Sequence, residues 1–513
     1  MLERLEETAG RAVRWGSRAE GGIAVLLSGL YFWHCAAQAA RKPLWSDELF
    51  TLYLSRFHTL GGLLETLRLA ADQQPPLFYL AARAATAAWG DPQMGMRVPS
   101  ALGVWAACAA IYLLLRRRFE PAPALCGALL PLTGQGLAFA VEARPYGMVL
   151  GVYGVLLLCW QAAAENRGRR LALPLAAVCV FLLGSLHYLA VFALAPLFIA
   201  EVFRRWKQGR WDKPLVLALA LGAAPLAIYL PLLLDIRGFA TVFWGRTTML
   251  QTVLTAHRHL SAPLTLAVLI PLLVAALTAR RRAAEEQTAA LQPHEAVLAG
   301  ALALMAFAVP PLILKLTGGF AYRYFAALLM GWALLAGGVA GRFTSRRPLA
   351  QAGLLAIFLG TAASAAYLQS GPSAEGNPHF TPAISEMLAR RTTPERAVFD
   401  SPLTYLEFWH HAPPGVKQRA VYAASPAAAL RYAGADSTEQ SLIRLSYTVP
   451  LKLIPPGELR AGESFLLVRT NRLSWLPAAL SETGARMEIL EEGGGVQLLL
   501  VTPVSPLRGE VGQ

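Results

Sequence analysis

Cysteine is scarce in this chain, and charge is scarce as well. The five cysteines, Cys35, Cys108, Cys126, Cys159 and Cys179, all fall inside apolar stretches, with no Cys-x-x-Cys pair and no Cys/His spacing. That argues against a disulfide framework and a thiolate metal site, and leaves them as small buried hydrophobes. A Gly-rich phosphate loop of the G-x-x-x-x-G-K-S/T type is missing, so nothing points to a P-loop nucleotide site. No internal repeat recurs at solenoid spacing and no low-complexity tract stands out. Charged residues reach only 15% against 55% hydrophobic, with a mean hydropathy of +0.43. Apolar runs recur along most of the first 370 residues, the composition of a polytopic membrane protein. The net charge of +14 could suit nucleic acid, but the Lys and Arg residues sit in short loops between apolar runs rather than on one face. A positive-inside bias accounts for the excess, and nucleic acid is not an expected partner.

Runs of roughly 17 to 25 apolar residues are long enough to cross the hydrocarbon core. They lie near 21–40, 97–115, 121–140, 145–163, 171–189, 190–203, 214–234, 262–279, 294–316, 323–341 and 349–369, which predicts eleven crossings. The polar opening with Arg4, Arg11, Arg14 and Arg18 reads as an uncleaved anchor whose amino end is cytoplasmic. Basic clusters then recur in alternate loops: Arg116-Arg117-Arg118, Arg167 with Arg169-Arg170, Arg204-Arg205 with Lys207, Arg280-Arg281-Arg282, and Arg342 with Arg346-Arg347. These face the cytoplasm, and the intervening loops face outward. A crossing at 75–90 would reverse every later loop, so 60–90 is expected as helices lying on the outer surface, within a first outer loop at 41–96. Beyond 370 a Ser/Gly/Pro linker leads into a region of soluble composition. Short β-rich runs (397–399, 420–423, 464–468, 496–501) there alternate with helical patterns (405–411, 427–432, 476–483). The expected architecture is a helical membrane domain at 1–370 and a small α/β domain at 371–513, outside the membrane on the outer side.

Four polar clusters interrupt the apolar chain, and loop charges put all of them on the outer side: Asp47-Glu48, Glu142-Ala143-Arg144-Pro145-Tyr146, His187-Tyr188 and Tyr322-Arg323-Tyr324. Ionisable groups at a membrane boundary are costly unless paired, so their convergence would build a site for a charged, lipid-borne substrate. Adjacent acids such as Asp47 and Glu48 repel, raising the pKa of at least one unless a cation compensates, and a carboxylate there could act as a general base. Equally, Ser46 followed by acids suits a helix start. Arg144 presents the fork of donors that matches phosphate, with Tyr146 adding a hydroxyl, although an internal Glu142–Arg144 pair is the alternative. His187, Tyr188 and Tyr324 fit interfacial anchors as well as a site, whereas an aromatic belt leaves Arg323 unexplained. The stretch 235–260 reads as the longest late loop and offers Arg246, His257, Arg258 and His259 as loop contacts. His257 and His259 would share a face on a strand, but no third ligand lies nearby in sequence for zinc.

Taken in order, Trp45-Ser46-Asp47-Glu48, Pro75-Pro76-Leu77-Phe78-Tyr79, Arg97-Val98-Pro99-Ser100, Glu142-Ala143-Arg144-Pro145-Tyr146 and then the His-Tyr and Arg-Tyr boundaries resemble the GT-C membrane glycosyltransferases. The likeness is strongest to the bacterial branch related to protein O-mannosyltransferases and the lipid A aminoarabinose transferase, and it covers about residues 20–345. It implies a GT-C-like fold in the bacterial inner membrane. It also implies transfer of a hexose or pentose, with inversion, from a polyprenyl-phosphate sugar donor to a hydroxyl of a lipid, polysaccharide or protein acceptor at the outer, periplasmic face. By the same resemblance Asp47 is the base with Glu48 beside it, and Glu142 helps to organise acceptor or metal. Arg144 and Tyr146 lie near the donor phosphate and sugar, and His187, Tyr188, Arg323 and Tyr324 line that region. The long second acidic cluster of metal-dependent oligosaccharyltransferases is missing; no cofactor is indicated, and a divalent metal stays an open alternative. Two other readings use the same clusters: a secondary transporter or flippase whose intramembrane charges form a path, and a glycan polymerase or ligase with a lipid-linked donor. Paired halves with interrupted helices, common in transporters, are not evident.

Overall fold

A computed structural model describes residues 19–245, 248–260, 290–317, 321–345, 347–370, 380–391, 395–505 and 507. The chain is a multi-pass membrane protein. Among the described residues, five helical segments are long and apolar enough to cross a membrane: Glu20–Arg41, Pro92–Arg116, Tyr146–Ala164, Arg169–Leu186 and Pro348–Gln369. The eighth expected crossing, 262–279, lies outside the described residues. The other expected crossings are shorter or interrupted helices, the one at 190–203 being the 3-10 turn Tyr188–Ala193 followed by helix Leu194–Gln208. Lys213–Ile228 and Leu230–Arg237 meet at a 46° bend, and Pro121–Thr133, Pro293–Met305 and Leu328–Thr344 are shorter apolar helices. Proline explains most of the breaks, because it lacks the N–H that an α-helix needs and clashes with the preceding turn. Pro131 lies in the 3-10 turn Leu130–Thr133, Pro231 follows the bend at Tyr229, and Pro310 starts a new helix two residues after Ala308. Val25, Leu26 and Trp33 on the first helix are exposed, as lipid-facing side chains must be.

Two helices set the geometry on which the site is built. Val98–Arg116 and Tyr146–Ala164 pack along most of their lengths, and glycine lets their backbones touch. A Cβ on Gly147 would lie 2.5 Å from the Ser100 carbonyl oxygen, and one on Gly151 the same distance from that of Gly103. No larger residue fits, so this contact fixes the relative height of Arg97 and Arg144 at the amino ends of both helices. Their far ends carry a separate polar network in which Arg118 bonds Glu165 and Glu295, Arg116 bonds Glu20, and Arg204 bonds Glu201 and Asp212.

Between the first two crossings the chain forms Ser46–Ser55, Leu60–Arg68 and Leu77–Trp89, the last two being helical within the stretch 60–90. The stretch 235–260, expected as a loop, is half helical, since Met249–Leu260 folds as an α-helix with apolar residues on one side. The C-terminal region contains a six-stranded sheet: β1 Ala397–Phe399, β2 Ala420–Ala423, β3 Leu453–Ile454, β4 Phe465–Thr470, β5 Arg486–Gly493 and β6 Val496–Thr502, in the order β3-β2-β1-β4-β6-β5. Strands β3, β2, β1 and β4 run parallel, with β6 and β5 antiparallel at one edge. Gly494 and Gly495 close the β5–β6 hairpin with φ of +58° and +77°, the left-handed region that a two-residue turn requires. One apolar cluster joins this region to the segment between the first two crossings. Leu44, Leu49, Phe50 and Leu52 pack with Tyr405, Leu406 and Phe408, so the α/β region sits over the end of the bundle that carries Asp47.

Candidate active site

Glu48 and Arg97 form the fixed point of the site. The glutamate is fully buried at the start of helix Ser46–Ser55, and Arg97 at the foot of the next crossing is 2% exposed. All of the guanidinium's donor nitrogens are used. Nε and Nη2 donate to Glu48 at 2.8 and 2.6 Å, Nη1 donates to the carbonyls of Ala39 and Lys42, and Nη2 also donates to that of Pro43. Glu48 accepts further N–H bonds from Ala143 at 2.7 Å and Trp45 at 3.3 Å. Burial alone would raise this carboxyl, but the charge and hydrogen bonds of Arg97, with Lys42 and the Ala143 N–H, hold it below the usual carboxylate range. Cations therefore outweigh the mutual repulsion of the adjacent acids. Glu48, expected beside Asp47 in the chemistry, has both oxygens engaged by the scaffold and none open to a substrate. It also serves a helix start, because it accepts the N–H of Trp45, the residue just before the helix, at 3.3 Å.

Asp47 has the opposite fate: its side chain stays 22% exposed, and Oδ2 lies 3.0 Å from Nη2 of Arg323. Arg323 sits in the short 3-10 turn Tyr322–Phe325 ahead of helix Leu328–Thr344. Three aromatic rings surround its guanidinium, with centroids 5.9 Å (Trp45), 5.7 Å (Tyr146) and 5.8 Å (Trp244) away, so cation–π attraction holds a charge that is largely out of water. From the turn just before helix Tyr146–Ala164, Arg144 donates Nη1 to Asp72 at 2.7 Å and to the Asp47 carbonyl at 3.2 Å. The expected alternative of an internal Glu142–Arg144 pair is replaced by this Asp72 pair, while Nε of Arg144 has no protein partner. Glu142 is partly exposed on the same loop. Burial raises its carboxyl, Asp47 and Glu48 add to the rise, and Lys42 and Arg323 oppose it.

A row of rings runs back from Arg323. Tyr146 lies 5.5 Å from Phe139 and 5.6 Å from His187, which lies 5.5 Å from Tyr324. His187 accepts the Leu189 N–H on Nδ1 at 3.1 Å, so in its neutral form the proton is on Nε2, which can then act as a donor. Tyr188 turns away from this row toward Tyr229, at 6.5 Å. The late-loop candidates divide. Arg246 and the side chain of His257 lie outside the described residues, Arg258 is exposed, and His259 stacks on Tyr322 at 4.3 Å. Because His257 and His259 are helical, a separation of two puts them about 200° apart, which overturns the shared strand face. Among the described residues no three His, Cys, Asp or Glu side chains gather as a metal-binding group.

Sequence reading named neither Asp72 nor Arg97 as a site residue, and it passed over Trp45 and Trp244 as ring partners. A charged residue at the foot of an apolar helix was a usable signal for Arg97. Asp72 sits in Asp72-Gln73-Gln74-Pro75-Pro76, which reads as a helix break and hides its partnership with a residue 72 positions later. Together these elements gather at one end of the bundle a partly open carboxylate, two guanidiniums and an aromatic lining. Such a set can accept a proton, bind an anion and exclude water from both.

No protein-family model matches the chain, and no curated protein sequence matches it. Among solved structures it is similar to ArnT from Cupriavidus metallidurans in the apo state, with a TM-score of 0.60 and 14% identity over 94% of this chain and 98% of that one. It is likewise similar to the same protein bound to undecaprenyl phosphate, with a TM-score of 0.57 and 14% identity over 93% and 98% of the two chains. ArnT is a lipid A aminoarabinose transferase of the GT-C fold, and this chain has that fold from its first crossing through its C-terminal sheet.

Proposed function

We propose that the chain is an inverting glycosyltransferase that moves a sugar from a polyprenyl-phosphate donor to a hydroxyl acceptor at the outer face of the inner membrane. The observation that carries this reading is the meeting of groups from distant segments. Arg323 lies 3.0 Å from the Asp47 carboxylate and Arg144 lies 3.2 Å from the Asp47 carbonyl, in a fold shared with a protein solved with undecaprenyl phosphate. Asp47 accepts the proton of the acceptor hydroxyl, whose oxygen attacks the anomeric carbon from the side opposite the phosphate. The bond from that carbon to the phosphate oxygen breaks, the configuration inverts, and polyprenyl phosphate leaves with the electron pair. Arg144 and Arg323 stabilise the charge that grows on the phosphate, and guanidinium forks match its oxygens. Tyr146, His187 and Tyr324 line the sugar side of this arrangement, while Glu142 faces the acceptor. Residues 1–370 form the catalytic membrane domain and 371–513 an α/β domain on the same outer side.

Purified protein in sealed proteoliposomes, given undecaprenyl phosphate carrying labelled hexoses or an aminopentose together with lipid, polysaccharide and peptide acceptors, tests the reading. A glycosidic product with inverted anomeric configuration is expected. Vectorial uptake of label without any such product would overturn it in favour of a transporter.

A further inference from the structure

The α/β region has no part in the chemistry described so far, yet one helix of it lies along the segment that presents Asp47. Glu407, His410 and His411 on helix Pro402–His411 are spaced three and four apart and share a face. Each grips a different point of the segment. His411 Nε2 lies 2.8 Å from the Leu44 carbonyl, Glu407 Oε1 accepts the Ser46 N–H at 3.0 Å, and His410 Nδ1 lies 3.1 Å from the Tyr53 hydroxyl. Glu407 is 2% exposed and its other oxygen is held by Arg472 at 3.0 Å, from the turn after β4.

The first N–H groups of a helix have no partner within it. In helix Ser46–Ser55 the Trp45 N–H goes to Glu48 and the Ser46 N–H goes to Glu407, a residue 361 positions later in the chain. Asp47 is the residue that directly follows these two anchored amides. The same region also braces the other side of the ion pair. Asp436 accepts the N–H groups of Thr241 and Val242 at 2.9 and 2.8 Å, and Ser437 accepts that of Trp244 at 2.9 Å, holding the ring that packs on Arg323.

We propose that Glu407 is a positioning residue for Asp47: from the C-terminal region it fixes the amino end of helix Ser46–Ser55 and thereby the direction in which the Asp47 carboxylate points. The inference rests on Asp47 being the base. Full-length Glu407→Ala and Glu407→Gln proteins in nanodiscs test it through hydrogen exchange, undecaprenyl phosphate binding and sugar transfer. In Glu407→Ala, amides of residues 44–50 are expected to exchange about tenfold faster, with those of helices Val98–Arg116 and Tyr146–Ala164 unchanged. Glu407→Gln keeps an acceptor for the Ser46 N–H and is expected to recover most of the protection. Undecaprenyl phosphate affinity and donor KM stay near wild type, while kcat of Glu407→Ala falls about 10- to 100-fold, the scale for a displaced reacting group. Unchanged exchange at 44–50, unchanged kcat, or a loss of lipid affinity equal to the loss of kcat would each overturn the proposal. A wild-type protein that transfers no sugar removes the glycosyl-transfer reading instead, and the exchange result still decides whether Glu407 holds the helix.

Discussion

Nη2 of Arg323 lies 3.0 Å from Oδ2 of Asp47, joining two segments separated by most of the membrane domain. A partly exposed carboxylate and a guanidinium thus meet at one point. Its neighbour Glu48 differs by one position and is sealed from solvent, which shows how completely packing separates two adjacent acids.

Asp47→Asn keeps the shape of the side chain and removes its basicity. Transfer is expected to fall about 10²- to 10⁴-fold, the usual loss for a general base, while expression, membrane insertion and gel-filtration profile stay as in wild type. Appreciable turnover by this variant would move the base elsewhere.

Arg144→Ala is expected to weaken undecaprenyl phosphate binding about tenfold or more, since a charge-assisted hydrogen bond is lost and Asp72 is left without its cation. Arg144→Lys should recover little, because an ammonium cannot reach Asp72, the Asp47 carbonyl and a phosphate oxygen from one planar fork. Calorimetric titration with the lipid phosphate gives the comparison, and an unaltered affinity in Arg144→Ala would remove the phosphate role.

Glu48→Gln leaves Arg97 buried without its counter-charge, and breaking such a pair costs about 3–5 kcal/mol. The midpoint of thermal unfolding should drop accordingly at neutral pH. Because the folded-state pKa of Glu48 is lowered, its contribution is fully present above the ordinary carboxylate range and disappears as pH falls through the folded value. The gap between wild type and variant should therefore be widest near neutrality and narrow on acidification. A gap that widens in acid would contradict the assignment.

Gly147→Ala adds a methyl 2.5 Å from the Ser100 carbonyl oxygen, where neither backbone can give way. Overpacking of this kind costs about 1–3 kcal/mol, and here it would also shift Arg97 relative to Arg144. Both thermal stability and undecaprenyl phosphate affinity should fall together. Gly353→Ala, at an open position of the helix Pro348–Gln369, should leave both alone.

Much of the architecture was legible from local pattern. Five of the expected crossings coincide with helices long and apolar enough to span a membrane, and the runs at 397–399, 420–423, 464–468 and 496–501 all became strands. The helix at 249–260 was missed because a polar stretch bounded by histidines and arginine reads as loop, although its apolar residues recur at helical spacing. Prolines at 131, 225, 231, 310 and 311 signalled the breaks, but their effect on single crossings shows only once the helices are laid side by side.

The sequence by itself determined that this is a multi-pass membrane protein with an α/β region after its last crossing, and that Asp47, Glu142, Arg144 and Arg323 belong to the same kind of boundary. Hydropathy and charge are written residue by residue, so a linear reading recovers them. Only the tertiary structure decided that Glu48 pairs with Arg97, that Arg144 turns to Asp72 rather than Glu142, and that Glu407 caps the helix of Asp47. A buried charge takes whichever partner the packed backbones bring within about 3 Å, and that distance depends on helix contacts such as Gly147 against Ser100, which no local pattern contains.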